Sequence, residues 1–191
     1  VLPIYEKGYF RPVDMFRKAF ANTLQLQCEE GNRKWTVAAG LNWTDNKDHQ
    51  GLDLGLLDLC QETKYHAFNV FDKVYLGVVE SSEKLGPINA HGVLLANLVP
   101  DMKRPQIIGS DLHISQGGIE IKDEVWNENK KELSLFLNDL YGRKGNFYLS
   151  VPKGYKVSSD IKYKSETVKD GNIVKVPVVL DGDQEIKFMF N

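Results

Sequence analysis

The chain has 191 residues, of which 42% are hydrophobic and 26% are charged, and its formal net charge at pH 7 is −2. This length accommodates one large domain or two small ones, each with a real core. The slightly acidic balance excludes the global basic field that attracts nucleic acids, so we expect no nucleic-acid partner.

No apolar run in the chain approaches the roughly 20 residues that a helix needs to span a bilayer. No charged-then-apolar signal segment opens the chain either. We therefore expect no membrane partner and a cytoplasmic location. The first residue is Val rather than Met, which favours a processed chain or an excised fragment.

Residues 1–22 are irregular at first, with breakers at Pro3, Gly8 and Pro12. The stretch VDMFRKAF at residues 13–20 then predicts about two turns of helix with a short apolar face. Residues 23–28 alternate leucine with glutamine, and residues 35–43 (WTVAAGLNW) follow a polar turn. Both stretches predict strands.

Two aromatic and β-branched runs, Tyr65–Phe71 and Val74–Val79, flank the pair Asp72-Lys73. The pair is typical of a tight turn, so the stretch predicts a β-hairpin. Its strands carry large apolar side chains on both faces, which favours a position between layers rather than at a free sheet edge. Residues 83–90 and 92–99 predict two further strands.

The segment Pro100–Pro105 is the best linker candidate because two prolines flank charged residues. Beyond it, short strands alternate with turns, and VKDGNIVKV predicts a hairpin with Asp170-Gly171 at its tip. Regularly spaced short strands indicate β-sandwiches. We expect an all-β fold with two tandem antiparallel β-sandwich domains, at residues 23–104 and 105–191, preceded by the segment 1–22.

Catalytic chemistry is not evident in the sequence. The prominent carboxylates lie in predicted turns, where Asp commonly bonds its own backbone; they are Asp45, Asp48, Asp72, Asp170, Asp181 and Asp183. The histidines lack metal-ligand spacing; His66 and His113 lie in or beside apolar strands, and His49 and His91 lie in turns. We expect no catalytic residue, no metal site and no cofactor in this chain.

The two cysteines, Cys28 and Cys60, each end an apolar run. They are too few and too far apart for a disulfide framework. We interpret them as small buried hydrophobic residues, with a single disulfide as the alternative.

Aromatic residues next to predicted loops are the candidates for ligand binding. Trp43, Trp126 and Tyr141 each adjoin such a loop and offer flat rings on which sugar rings stack. The alternative is that these aromatics pack the cores and the domain interface, as large aromatics usually do.

Four strings carry a resemblance to a known family: RPVDMF at 11–16, LNWTDNKD at 41–48, YHAFNVFDKVYLG at 65–77 and NAHGVLLANL at 89–98. Together they resemble the C-terminal region of glycoside hydrolases, most closely the α-galactosidase-type enzymes of family 36 and their relatives. PQIIGSDLHISQGGIEIKD at 105–123 also resembles the stretch that follows that domain. The resemblance covers about residues 10–123.

The resemblance implies a non-catalytic partner domain. In that family a catalytic (β/α)8 barrel carries the nucleophile and the acid/base, and a small antiparallel β-domain packs on it. Residues 1–22 would leave that barrel, which is absent from this chain, and Met15, Phe16 and Phe20 would anchor the contact. No residue here matches a catalytic motif of the family.

The sequence thus predicts the C-terminal β-domains of a glycoside hydrolase, whose partner is its catalytic barrel domain. Val70-Phe71 and Gly92 depart from the family's pattern, which leaves the subfamily and the sugar open. Two alternatives remain: an independent carbohydrate-binding module, and a β-sandwich adhesion or interaction domain.

Overall fold

The computed structural model describes residues 5–17, 19–46, 51–158 and 161–191, and its sheets are antiparallel. The all-β prediction is confirmed: the described residues contain strands and a single short 3-10 turn, Leu54–Leu56. Two compact units make up the chain. The N-terminal unit holds residues 6–28 and 35–101. The C-terminal unit holds Tyr5, the hairpin tip Glu29–Lys34 and Met102–Asn191, so it begins close to the expected boundary at residue 104.

Among the described residues, eight strands lie wholly or mainly in the N-terminal unit, with the ends of the second and third strands, at residues 29–34, belonging to the other unit. They are β1 Arg11–Pro12, β2 Thr23–Glu30, β3 Arg33–Leu41, β4 Leu52–Asp53, β5 Lys64–Asn69, β6 Val74–Glu80, β7 Lys84–Leu85 and β8 Val93–Pro100. Six of them form one sheet in the order β1-β2-β3-β8-β5-β6, and β4 pairs with β7 in a two-stranded sheet. The core lies between the large sheet and the β4–β7 layer, and includes Ala67, Leu98, Leu52 and Leu54.

The hairpin predicted around Asp72-Lys73 forms from β5 and β6, although its loop spans residues 70–73 rather than two residues. β5 is buried on both faces, as its pattern predicts. For β6 the predicted position between layers was wrong, because β6 is the last strand of the sheet. Val74 and Leu76 are exposed there. Strand order depends on the distant β5–β8 pairing, which the local pattern does not contain.

Two other local predictions were wrong. The described residues of 13–20 form bends and a turn rather than a helix, with the Arg17 amide donating to the Asp14 carbonyl at 2.9 Å. Two turns of helix cannot repay the cost of nucleation without packing support. The predicted strand at 83–90 is reduced to β7, because Gly86-Pro87 interrupts it with a proline that has no amide to donate.

The C-terminal unit is a β-sandwich of two sheets. Its strands are β9 Gln106–Ser110, β10 Ile121–Asn127, β11 Glu132–Leu137, β12 Arg143–Pro152, β13 Lys164–Val168, β14 Gly171–Leu180 and β15 Gln184–Met189. One sheet has the order β13-β14-β12-β9 and the other β10-β11-β15. Their inner faces meet in one core, where Phe147, Leu149 and Val176 of the first sheet pack with Leu135 and Phe188 of the second.

The hairpin predicted at VKDGNIVKV, residues 168–176, forms from β13 and β14, with its tip one residue earlier than expected. Val168 pairs with Gly171, so Lys169-Asp170 is the two-residue loop. The backbone of Gly171 has φ +153, and a Cβ there would lie 2.2 Å from the Val151 carbonyl oxygen. The close approach of β12 therefore requires glycine just after the tip.

A buried ionic cluster lies inside the C-terminal unit. The Arg33 Nε contacts the Glu124 Oε2 at 3.2 Å, and both side chains are buried. The Arg104 Nη1 contacts the other carboxylate oxygen of Glu124, also at 3.2 Å. One carboxylate thus bridges a residue of the hairpin tip and a residue just before β9, which ties distant parts of the sequence into one unit.

Candidate functional site

The described residues 14–17 and 19–22 lie between β1 and β2, and we call them the apolar loop. β1 pairs with β2 through Arg11 opposite Gln25 and Pro12 opposite Leu24. The Val13 amide then donates to the Thr23 carbonyl at 3.0 Å. The two ends of the loop are therefore fixed against each other, and its base is part of the sheet.

Asp14 closes the base of the loop from inside. Its side chain is buried, and its Oδ1 accepts hydrogen bonds from the backbone amides of Asn22 at 3.0 Å and Thr23 at 3.1 Å. The carboxylate thus accepts the hydrogen bonds that these two backbone amides would otherwise donate to a neighbouring strand or helix. These hydrogen bonds hold the base of the loop in place.

The side chains beyond Asp14 are large, apolar and exposed. Phe16 has 97% of its surface exposed, and Met15 and Phe20 are also exposed. Trp43 joins them, since its Nε1 donates to the Ala21 carbonyl at 2.9 Å and its ring centroid lies 6.4 Å from that of Phe20. Phe20 and Trp43 thus form one aromatic pair on the outside of the N-terminal unit.

The three aromatics that the sequence proposed for sugar binding lie in different surroundings. Trp43 belongs to the N-terminal unit, whereas Trp126 and Tyr141 belong to the C-terminal unit. The Trp126 ring is half-buried, with Tyr155 and Phe190 against it at 5.9 Å and the Arg104 guanidinium 5.8 Å from its centroid. These neighbours reduce the ring area that a sugar could cover.

Tyr141 is 94% exposed at the tip of the loop between β11 and β12. The loop is held by Asp139, whose Oδ1 accepts the amides of Tyr141 at 2.9 Å and Gly182 at 3.0 Å. These two backbone hydrogen bonds lower the pKa of the Asp139 carboxyl. Tyr141 therefore presents a free phenol ring on an anchored loop.

Several of the carboxylates and histidines named in the sequence analysis contact other side chains. Asp45 contacts His91 at 2.9 Å, and Asp72 accepts from the Asn69 side chain at 2.8 Å. His66 is buried, with its Nδ1 2.8 Å from the Tyr75 hydroxyl. The Lys122 ammonium binds Asp183 at 2.5 Å and lowers the pKa of that carboxyl. Asp48 and His49 lie outside the described residues.

Metal chemistry has no candidate cluster in the described part of the chain, where no three His, Cys, Asp or Glu side chains lie together as ligands. Cys28 is buried, as the sequence predicts, but Cys60 is exposed, so its predicted burial was wrong. Neither thiol is part of a disulfide, so the alternative of a single disulfide was wrong. Cys60 follows its apolar run and directly precedes an exposed turn at residues 61–62.

No protein-family model and no curated protein matches this chain. Within the described ranges, no helix has the length and hydropathy to cross a membrane.

Sequence reasoning missed the part that Asp14 plays at the base of the apolar loop. The available signal was the residue type: Asp near turns commonly bonds nearby backbone amides. It also assigned Met15 and Phe16 to the face of a helix. Their sequence spacing is compatible with that reading, but spacing alone does not show that the chain returns to pair with itself at Thr23.

Proposed function

We propose that the two units are the non-catalytic C-terminal β-domains of a glycoside hydrolase that resembles α-galactosidases. In this proposal the apolar loop docks on a catalytic (β/α)8 barrel and stabilises it. The single observation that supports it best is the exposure of Phe16, at 97%, on a loop with a fixed base. Clustered exposed apolar side chains mark interaction sites in soluble proteins.

The energetics favour such a contact. Burying one large apolar side chain contributes roughly 1.5–3 kcal/mol. Met15, Phe16 and Phe20 together therefore supply a substantial docking energy. Because the ends of the loop are held by Asp14 and by the Val13–Thr23 hydrogen bond, little backbone entropy remains to be lost when the loop docks.

The test begins with the intact natural gene product. We expect it to be several-fold larger than this chain, to carry a (β/α)8-type stretch ahead of Val1 and to hydrolyse an aryl α-galactoside. The isolated 191-residue chain should have no such activity. A natural product that begins at or near Val1, or hydrolysis by the isolated chain, would contradict the proposal.

Variants of the intact enzyme then test the loop. Phe16→Ser and Phe20→Ser should lower the melting temperature of the intact enzyme and leave that of the isolated chain unchanged. Phe71→Ser is the matched control, since Phe71 is also exposed but lies at the turn leading into β6, the opposite end of the six-stranded sheet from β1. If Phe16→Ser and Phe71→Ser lower the melting temperature of the intact enzyme equally, the proposal that the loop docks on the barrel is wrong.

A carbohydrate-binding module is the second candidate, favoured by the exposure of Trp43 and Tyr141 on anchored loops. A glycan array on the isolated chain, followed by titration calorimetry, tests it. Binding that is lost in Trp43→Ala or Tyr141→Ala would support this function. Glycan binding by Trp126→Ala shows whether the half-buried Trp126 ring also contributes. A chain that binds no glycan on the array argues against it.

A further inference from the structure

Two loop tips of the C-terminal unit are joined to each other, and we call them the joined tips. The first, residues 138–144, leads from β11 into β12, and the second, residues 180–184, leads from β14 into β15. The Gly142 amide donates to the Leu180 carbonyl at 2.7 Å. The Asp139 carboxylate adds a second hydrogen bond between the tips, to an amide of the second tip. Each tip is therefore held by the other as well as by its own segment.

Tyr141 has an unfavourable backbone conformation within the first tip. The Arg143 amide donates to the Leu140 carbonyl at 3.2 Å, which closes a four-residue turn around Tyr141 and Gly142. The φ angles of these two central residues are +55 and +73, as in a type I′ turn. Glycine, asparagine and aspartate are favoured there, whereas a bulky residue is an outlier. The turn thus carries a tyrosine where its backbone favours asparagine.

Packing does not account for this tyrosine. Its side chain is 94% exposed, so the ring buries almost no apolar area in return for the strained backbone. The hydrogen bonds of Asp139 and Gly142 hold the strained conformation in place. Strain that surrounding contacts maintain, and that the core does not need, is typical of functional sites. The ring is therefore placed for contact with a molecule outside this chain.

The charges around the ring favour a neutral ligand. The joined tips, together with the Lys122 that binds Asp183, carry three carboxylates and three cations: Asp139, Asp181, Asp183, Lys122, Arg143 and Lys144. This balance gives no field that attracts a polyanion. The Oδ1 of Asp139 accepts two backbone amides, and within the described ranges its Oδ2 accepts no hydrogen bond. A flat ring next to an available acceptor suits a molecule that has both an apolar face and hydroxyl groups.

We propose that the joined tips bind a neutral saccharide, whose apolar face stacks on the Tyr141 ring and whose hydroxyl groups donate to the Asp139 Oδ2. This inference rests on the carbohydrate-binding function, the second candidate above. It deepens that candidate by assigning the site to the C-terminal unit, without Trp43, and by naming the class of sugar. The strained turn is retained because neither asparagine nor glycine provides a ring.

The variant Tyr141→Asn separates a binding role from a structural one. Asn-Gly is a favoured pair for a type I′ turn, so this variant should raise the melting temperature of the chain by about 2–4 °C. The same variant should weaken saccharide binding about tenfold or more, because the stacking surface is lost. Titration calorimetry with cellohexaose, maltohexaose, mannohexaose and galactohexaose measures the dissociation constants. Hexagalacturonic acid is the anionic comparison.

Two further changes control this experiment. Tyr163→Asn is the matched control, because Tyr163 is an exposed tyrosine of the same unit outside the joined tips, and it should leave saccharide binding unchanged. Asp139→Ala removes the acceptor of the Tyr141 and Gly182 amides, so it should lower both the melting temperature and the affinity. Asp139→Asn retains a carbonyl oxygen for these amides and should restore the melting temperature.

The possible results distinguish this inference from the function on which it rests. Binding that is lost in Trp43→Ala but retained in Tyr141→Asn overturns the joined tips as the site and leaves the carbohydrate-binding function in place. A lower melting temperature of Tyr141→Asn also overturns the inference, because the tyrosine would then be structural. Tighter binding of hexagalacturonic acid than of the neutral sugars contradicts the ligand class. A wild type that binds none of these sugars overturns both the inference and the function.

Discussion

The Oδ1 of Asp14 accepts a hydrogen bond from the backbone amide of Asn22 at 3.0 Å, and this contact closes the base of the apolar loop. Asp14 is 1% exposed, so the bond lies in a region from which water is largely excluded. A hydrogen bond in such surroundings is costly to leave unmade. The base of the apolar loop therefore depends on this buried carboxylate.

Replacing Asp14 should therefore destabilise the N-terminal unit. In Asp14→Ala the amides of Asn22 and Thr23 lose a buried acceptor, which lowers the free energy of unfolding by about 1–3 kcal/mol. Asp14→Asn, which retains a carbonyl oxygen, should cost less. Urea unfolding followed by circular dichroism measures both. The exposed Asp45→Ala is the control, and an Asp14→Ala protein as stable as that control would contradict the prediction.

The Glu124 carboxylate is expected to be the most sensitive charged group of the C-terminal unit. Glu124→Ala leaves the buried Arg33 guanidinium without this carboxylate, and removal of one partner from a buried ion pair costs about 3–5 kcal/mol. Chemical denaturation of the isolated chain measures the loss. Glu128→Ala is the matched control, because its pair with Lys131 is at the surface and contributes little. Comparable losses of unfolding free energy in Glu124→Ala and Glu128→Ala would contradict the prediction that the buried pair matters more than the surface pair.

Tyr148 should ionise at a higher pH than a tyrosine in an unfolded chain. Burial raises the pKa of its phenol to about 12, with additional increases from the Asp111 charge and its hydrogen bond. The unfolded chain ionises this group near pH 10, so its contribution to stability is complete below pH 10 and is lost as pH rises through about 12.

Absorbance titration at 295 nm detects this late phenol as a step that is missing in Tyr148→Phe. Asp111→Asn should lower the pKa of Tyr148 only in part, because burial is the largest cause of the shift. If the titration curves of Tyr148→Phe and the wild type have the same shape above pH 11, the late step does not belong to Tyr148.

The two thiols should differ sharply in reactivity. Cys60 is exposed, and its hydrogen bond with the Thr63 side chain lowers the pKa of its thiol. Since the thiolate is the reactive form, Cys60 should react with an aromatic disulfide reagent at a lower pH than a free cysteine peptide. Cys28 is buried and should react only after unfolding.

Counting thiols in native and denatured protein tests this difference. We expect one reactive thiol in the native chain and two in denaturant, with the native signal lost in Cys60→Ser. Thr63→Val should move the pH dependence of Cys60 labelling upward. Two fast thiols in the native wild type would show that Cys28 is more accessible than its burial indicates.

Most of the fold prediction rested on local patterns of apolar, β-branched and turn residues. The β-branched and aromatic runs Tyr65–Phe71 and Val74–Val79 identified a hairpin correctly, because the preference of such side chains for strands is a property of the segment itself. The position of β6 at the end of its sheet was not predictable in this way. It follows from the pairing of β5 with β8, which brings together residues that are distant in sequence.

In the candidate site, too, residue types were predictable from the sequence whereas the backbone geometry was not. The residue types of Met15, Phe16 and Phe20 suggested an anchoring surface, but the predicted helix gave them the wrong local geometry. The loop is instead set by Val13 and Asp14 binding the start of β2. The apolar spacing of residues 13–20 is compatible with a helix and with a loop. The contact between Asp14 and Thr23, nine residues apart, selects the loop.

The sequence by itself determined the all-β class, the separation into strands and turns and the absence of an extreme charge. Those properties depend on side-chain alternation and composition, which are local or additive. Only the tertiary structure decided that Glu124 bridges Arg33 and Arg104, that β6 ends its sheet and that the apolar loop closes on Asp14. These features require partners from distant parts of the chain, and long-range pairing is fixed by the closure of the whole core rather than by any one segment.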